Sequence, residues 1–217
     1  MDYKGINADT IANAAALNAA FLDLAVMRRP PRLATHFIER VSRLSGMERK
    51  RLAKAPFLLF TIEPLERSVS TRPPPDLFDE SMTDTEARLV AATLCLLWSL
   101  ARTDQHAARF LAGIPRGACE DIAATPLVDV IDSARRFETL VVPRYQENGA
   151  FWRKMYLSAS DPRQVVRQAA RHSAMQFVLT DLEDDTYTSM AAAACRKSPP
   201  LRKLADPVQP MSSDNQP

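Results

Sequence analysis

The sequence predicts an all-α protein: two similar small helical modules, each closing on a short β-prone segment, then a C-terminal helix and a disordered tail. Three observations predict it. Glycine is scarce and proline plentiful, 5 against 16 in 217 residues, where average usage gives about 15 glycines. Such a chain suits neither hairpin-rich sheets nor phosphate-cradling loops. Apolar residues make up 46% of the chain and charged residues 25%, enough for a core. They recur mostly at three- and four-residue steps. The prolines act as punctuation: Pro30-Pro31, Pro56, Pro64, Pro73-Pro74-Pro75, Pro115, Pro126, Pro143 and Pro162 separate the periodic stretches.

Residues 8–27 read as a helix, with Leu17, Phe21, Leu24 and Met27 on one face and alanine abundant. Its beginning belongs to an N-terminal arm, 1–15, and the rest opens the first module, 16–65. Pro30-Pro31 stops that helix and starts the next. Residues 32–44 form a second helix with Leu33, Phe37, Val41 and Leu44 aligned, Gly46 marks a turn, and 48–54 is a short third helix. Residues 57–62 are β-prone, bounded by Pro56 and Pro64.

A proline-rich linker, 66–84, follows. The second module, 85–157, opens with a helix capped by Thr83 or Asp84, with Glu86 completing a capping-box pattern. That helix runs to Arg102, is apolar on most sides, and is the predicted central helix. A short helix over 104–112 ends at Gly113. Pro115 opens another to residue 123, and Thr125-Pro126 a third to Arg136. Residues 139–142 are β-prone up to Pro143. Residues 151–157 hold aromatics and a methionine and receive no element. Asp161-Pro162 starts a C-terminal helix, placed within 158–190, and a proline-rich polar tail, 191–217, reads as disordered.

The halves echo each other. At an offset of 73, Ala19 meets Ala92, Leu24 meets Leu97 and Phe37 meets Phe110. At an offset of 80, Phe57 to Ile62 meets Phe137 to Val142. Either these are two copies of one module with a pseudo-twofold core, or two alanine-rich helical stretches matching by composition.

Several function classes are excluded by motif. There is no G-x-G-x-x-G, G-x-x-x-x-G-K-[ST], G-x-S-x-G or H-E-x-x-H. Cys95, Cys119 and Cys195 are far apart, without zinc spacing. His36, His106 and His172 lie in separate helices without ligand partners, and Trp98 and Trp152 read as core or interface anchors. Glu183-Asp184-Asp185 reads as a solvated acidic turn. No enzyme, cofactor or metal is therefore expected. The unpaired cysteines and the absence of a signal pattern suggest a cytoplasmic protein. The apolar run 89–100 is too short to span a bilayer, so no membrane partner is expected.

The stretch Leu97-Trp98-Ser99-Leu100-Ala101-Arg102-Thr103-Asp104-Gln105-His106-Ala107-Ala108-Arg109-Phe110-Leu111-Ala112-Gly113-Ile114 resembles the D subunit of the bacterial flagellar master transcriptional regulator. That family has an apolar helix, an aspartate opening a short alanine-rich helix, a Gly-Ile turn, a helix-turn-helix-like pair and a Leu-Val-rich extended end. Here 115–136 would be the pair and Leu140-Val141-Val142 the end, with the first half a worn copy. The resemblance implies double-stranded DNA as partner and a homo-oligomer, or a partner resembling the family's zinc-binding C subunit. RNA polymerase is a further implied contact. The family's dimerising cysteine has no clear match, so no covalent link is carried over.

Net charge is only +2, but nine of the basic residues crowd the stretch from Arg28 to Lys54, against Glu39 and Glu48. The candidate DNA-contacting residues are Arg40, Arg43, Arg49, Lys50, Arg51 and Lys54 in the first module. Arg135 and Arg136 end the matching helix of the second, and equivalent placement would give two phosphate-contacting patches related by the pseudo-symmetry. Arg163, Arg167 and Arg171 form a stripe at four-residue steps on the C-terminal helix. The plainer alternative for each group is a solvated helix face. The expected function is a DNA-binding transcriptional regulator. The alternative is a non-enzymatic helical adaptor, chaperone or anti-activator that binds protein only.

Overall fold

The computed structural model describes residues 6–30, 33–63, 85–136 and 140–197, and these are all-α apart from one two-stranded sheet. The linker residues 66–84, with the expected cap at Thr83 or Asp84, lie outside them, as do residues 198–217 of the tail.

In the first half, helix α1 spans Ala8–Met27, α2 Thr35–Arg43, α3 Gly46–Ala53 and strand β1 Phe60–Glu63. Asn7 caps α1 by accepting from Thr10 N at 2.7 Å. The 15/16 boundary of the expected arm therefore falls inside α1. By length and apolarity α1 is the one described helix that passes for a membrane span, but here Ala14, Phe21, Leu22 and Ala25 on it are buried in the core. Gly46, expected at a turn, is the first residue of α3. Ser45 and Glu48 form a full capping box, each side chain accepting from the other's backbone N–H.

In the second half, α4 spans Thr85–Thr103, α5 Gln105–Ala112, α6 Arg116–Ala124, α7 Leu127–Arg136 and β2 Leu140–Pro143. Asp104 caps α5 by accepting from Ala107 N at 2.9 Å. Gly113 ends it at φ +67°, the left-handed C-cap for which glycine is suited. Two further helices follow: α8, Gly149–Ser160, and α9, Gln164–Lys197. The unassigned aromatic stretch is thus α8, capped by Asn148. The expected 157/158 boundary falls inside it. The α9 backbone runs past residue 190 into the stretch expected to be disordered, where four consecutive alanines, 191–194, favour helix.

One core joins the halves. α1 packs on α2, α3 and α4; α4 supports α5, α6 and α7; α8 lies between α3 and α9. Phe21, Phe57 and Phe60 from the first half meet Val90, Leu111, Phe151 and Met155 from beyond the linker in a single buried cluster. Phe21, Phe57, Phe60 and Phe151 are fully buried, each contributing about 1.5–3 kcal/mol of burial. A smaller cluster of Ala101, Ala108 and Cys119 seats α6.

The strands pair antiparallel, Phe60 with Pro143 through Glu63 with Leu140. Two outlying bonds lengthen the seam, Leu58 N to Leu111 O and Arg144 N to Leu59 O, both 2.8 Å. Such a ribbon is marginal alone; burial of Phe60 and Val141 holds it. The paired strands are the segments matched at the offset of 80, and antiparallel pairing of equivalents is what a twofold between halves requires. The helices do not share one offset: α4 and α5 start at Thr85 and Gln105, against Ala8 and Thr35 for α1 and α2.

Asn18, on α1, is fully buried. Its amide donates to Ala53 O (3.2 Å) and Phe57 O (2.9 Å) and accepts from Leu59 N (2.8 Å). These bonds satisfy backbone groups that the irregular approach to β1 leaves unpaired.

Candidate functional site

Two of the three sequence-predicted basic groups meet in space. The end of α3 packs against α8 and the start of α9. Arg51 Nη1 donates to Ala159 O, and Arg171 Nη2 donates to Arg51 O, both at 3.4 Å. Arg167 Nη1 donates to Asp161 O and Pro162 O at 2.8 Å, placing a cation at the carbonyl end of α8. Arg171 is half-buried, and burial, with the neighbouring Arg167 cation, pushes its pKa down. Glu48 acts on Arg51, and Asp161 acts on Arg163 and Arg167, so these cations are partly offset within the cluster.

The other candidates grade outward. Lys50, Lys54 and Arg43 are exposed. Arg40 is exposed with its guanidinium 5.7 Å above the Tyr156 ring, tying α2 to α8. Arg49 is half-buried, and its Nε has no hydrogen-bond partner among the described residues. Arg163 is exposed and held by Asp161, Nε to Oδ1 3.2 Å, which neutralises it in part. The Asp161 carboxyl is held below its usual range by that same Arg163.

Arg135 and Arg136 are the last residues of α7, and their side chains lie outside the described part. α7 packs on α4, while α3 packs on α1 and α8. Counted in order, α6 rather than α7 is the counterpart of α3, because Pro115 and Pro126 each open a helix and give the second half one more. The expected equivalence of Arg135 and Arg136 with the α3 cluster therefore does not follow from helix order. The α6–α7 pair also carries Glu120, Asp121, Asp129 and Asp132, and Arg116 is paired with Glu120 at 2.7 Å. The candidates that the fold brings together belong to α3 and α9.

Sequence reasoning missed a second region. Arg144 follows β2 and is 4% exposed. Its Nη1 donates to Phe110 O (3.3 Å) and Leu111 O (3.4 Å), and its Nη2 to the Tyr145 hydroxyl (3.4 Å). The guanidinium lies 5.8 Å from the Phe57 ring and 5.1 Å from the Tyr145 ring. Tyr145 in turn donates to Asp181 at 2.8 Å. Burial lowers the Arg144 pKa and pushes Tyr145 up to about 12. Gly113 makes room: a Cβ there would sit 2.5 Å from Arg144 Nη2. Beside these residues opens a pocket of about 750 Å³, between the sheet, the end of α5 and the start of α8.

Trp98 donates to Thr125 O (2.8 Å) and Trp152 to Arg144 O (3.0 Å), so both are packing anchors. His36, His106 and His172 are exposed. Cys119 is buried, its thiol pKa raised by burial. Among the described residues no three His, Cys, Asp or Glu side chains are grouped to hold a metal. No protein-family model, curated protein or solved structure matches the chain, so the likeness to the flagellar regulator's D subunit rests on the residues 97–114 themselves.

Proposed function

We propose that the chain is a DNA-binding transcriptional regulator, acting as an oligomer or with a partner subunit, and that its DNA-facing surface is the α3–α9 ridge. The observation that carries this reading is the meeting of Arg51 with Arg171. It sets the helix that carries Lys50 against the helix that carries Arg167 and Arg171, and a DNA-facing surface would be assembled there from distant parts of the chain. Phosphates would contact the exposed lysines first, and the half-buried arginines would fix the geometry of the ridge. RNA polymerase remains a further partner under this reading.

The test is fluorescence anisotropy on mixed-sequence duplex DNA across a salt series. Affinity should fall steeply with salt. Lys50→Glu with Lys54→Glu should weaken it by about tenfold or more, since each removed phosphate contact also reduces the salt slope by about one. Arg51 and Arg171 are left intact because they hold helices together. Unchanged affinity in the double variant would remove α3 from the surface.

One observation favours the second reading, a protein-only adaptor. Met47, one turn before Arg51, is 61% exposed, and Val165, in the first turn of α9, is 76% exposed. Apolar side chains among cations suit an acidic, partly apolar protein partner. Absence of DNA binding at low salt, for the chain alone and in the oligomer it forms, selects that reading.

A further inference from the structure

The pocket beside Arg144 has no place in the DNA reading. Its volume of about 750 Å³ falls within the roughly 300–1,000 Å³ of small-molecule sites. Ala112, Val142, Pro143 and the Tyr145 ring give it apolar walls. Three features make the polar side unusual. Arg144 is a buried cation with no carboxylate in direct contact among the described residues; its partners are two carbonyls and a hydroxyl, and the charge of Asp181 reaches it from beyond that hydroxyl. Gln146 Oε1, in the same wall, is buried with no partner among the described residues. The first turn of α8, a helix of 12 residues, begins at the wall with Gly149. Asn148 caps Phe151 N there, which leaves the N–H groups of Gly149 and Ala150 without intrahelical partners.

We propose that this pocket binds a small molecule bearing a single carboxylate on an apolar body, the carboxylate set between Arg144 and the N-terminus of α8. A buried cation without an ion-pair partner is stabilised most by an anion brought into its own low-dielectric surroundings. A planar guanidinium matches a carboxylate's two oxygens. The positive end of α8 adds to the same field. The wall also sets the charge limit. Asp181, bound to the Tyr145 hydroxyl, and Glu147, exposed at the rim, repel a second negative charge. Phosphate esters and dicarboxylates are thereby disfavoured.

The ligand sits where β2, the end of α5 and the start of α8 converge, so it stabilises the folded chain. The inference is independent of the DNA reading, whose ridge is formed by α3 and the first turns of α9.

The experiment is calorimetric titration of the full chain with benzoate and 4-hydroxybenzoate, with benzamide and inorganic phosphate as controls, and a thermal-unfolding scan with each. Saturable one-to-one binding of both carboxylates is expected, with a raised Tm and at least tenfold weaker binding of benzamide and phosphate. Arg144→Met should abolish carboxylate binding. Thr61→Phe fills the pocket from half-buried Thr61 on β1, touches none of the Arg144 hydrogen bonds, and should abolish it in a chain that still unfolds cooperatively. The proposal is overturned by any of three results. These are no binding of either carboxylate, benzamide or phosphate binding as tightly as benzoate, or undiminished binding in folded Thr61→Phe.

Discussion

Each half of the molecule closes around its strand with one buried polar side chain, Asn18 in the first half and Arg144 in the second. Asn18 is neutral, and its oxygen and nitrogen are matched by three backbone groups between Ala53 and Leu59. Nothing is left over. Arg144 does comparable work, reaching Phe110 and Leu111 at the end of α5, but it carries a charge that backbone carbonyls only partly offset. Around Asn18 the packing is closed; around Arg144 there is a pocket. A buried amide can be satisfied completely by backbone, whereas this buried cation draws on carbonyls, a hydroxyl and the Asp181 charge beyond it and still borders a pocket.

That contrast can be broken most sharply at Asn18. Asn18→Leu leaves two carbonyls and one N–H unpaired and should lower stability by about 3 kcal/mol or more, read as a fall in the urea midpoint at unchanged slope. A loss below about 1 kcal/mol would show that apolar packing alone holds the approach to β1. Next comes Gly113→Ala. The residue sits at φ +67° and its new Cβ would press on the Arg144 guanidinium, so a loss of about 1–2 kcal/mol is expected. Arg144→Met should cost less, about 1 kcal/mol, because removing a desolvated charge offsets the lost hydrogen bonds. If it costs as much as Asn18→Leu, the two side chains are equivalent structural pins and the contrast fails.

The smallest effect is in alkaline solution. Tyr145 is raised from its usual 10 to about 12, by burial first, against the Arg144 cation, and then by its bond to Asp181. A raised folded-state value means that the neutral hydroxyl stabilises the fold. Its contribution is fully present below pH 10 and is lost as pH rises through 12. Denaturation midpoints should therefore decline across that window, and Tyr145→Phe should flatten the decline. Tyr156 is raised as well, by burial, so a matching Tyr156→Phe variant separates the two.

Most helices were legible because local signals and tertiary packing agree. Asp104 and Gly113 bracket α5, and Pro115 and Pro126 stand before α6 and α7. The Ser45-Gly46-Met47-Glu48 capping box was also written in the sequence, though a glycine reads more readily as a turn than as the first residue of a helix. α8 was hidden because its aromatics have modest helix propensity and it forms by packing Phe151, Trp152 and Met155 into the core. The site was less legible. Arg51 and Arg171 are distant in sequence, and no periodicity brings them together. Arg144 reads as an ordinary surface charge after a proline; only the carbonyls at 110 and 111, the ring of Phe57 and the absent Cβ of Gly113 make it a buried cation.

The pairing of β1 with β2 has a consequence for how the chain is made. β2 begins about 80 residues after β1, so at roughly 5–20 residues per second a ribosome needs several seconds to supply the missing partner. During that interval Phe57-Leu58-Leu59-Phe60-Thr61-Ile62 has its approach pinned to α1 by Asn18 but its edge unpaired. An apolar β-prone edge of that kind is a site for mispairing between nascent chains. The first half is therefore a waiting state, and its yield should depend on how quickly the second arrives.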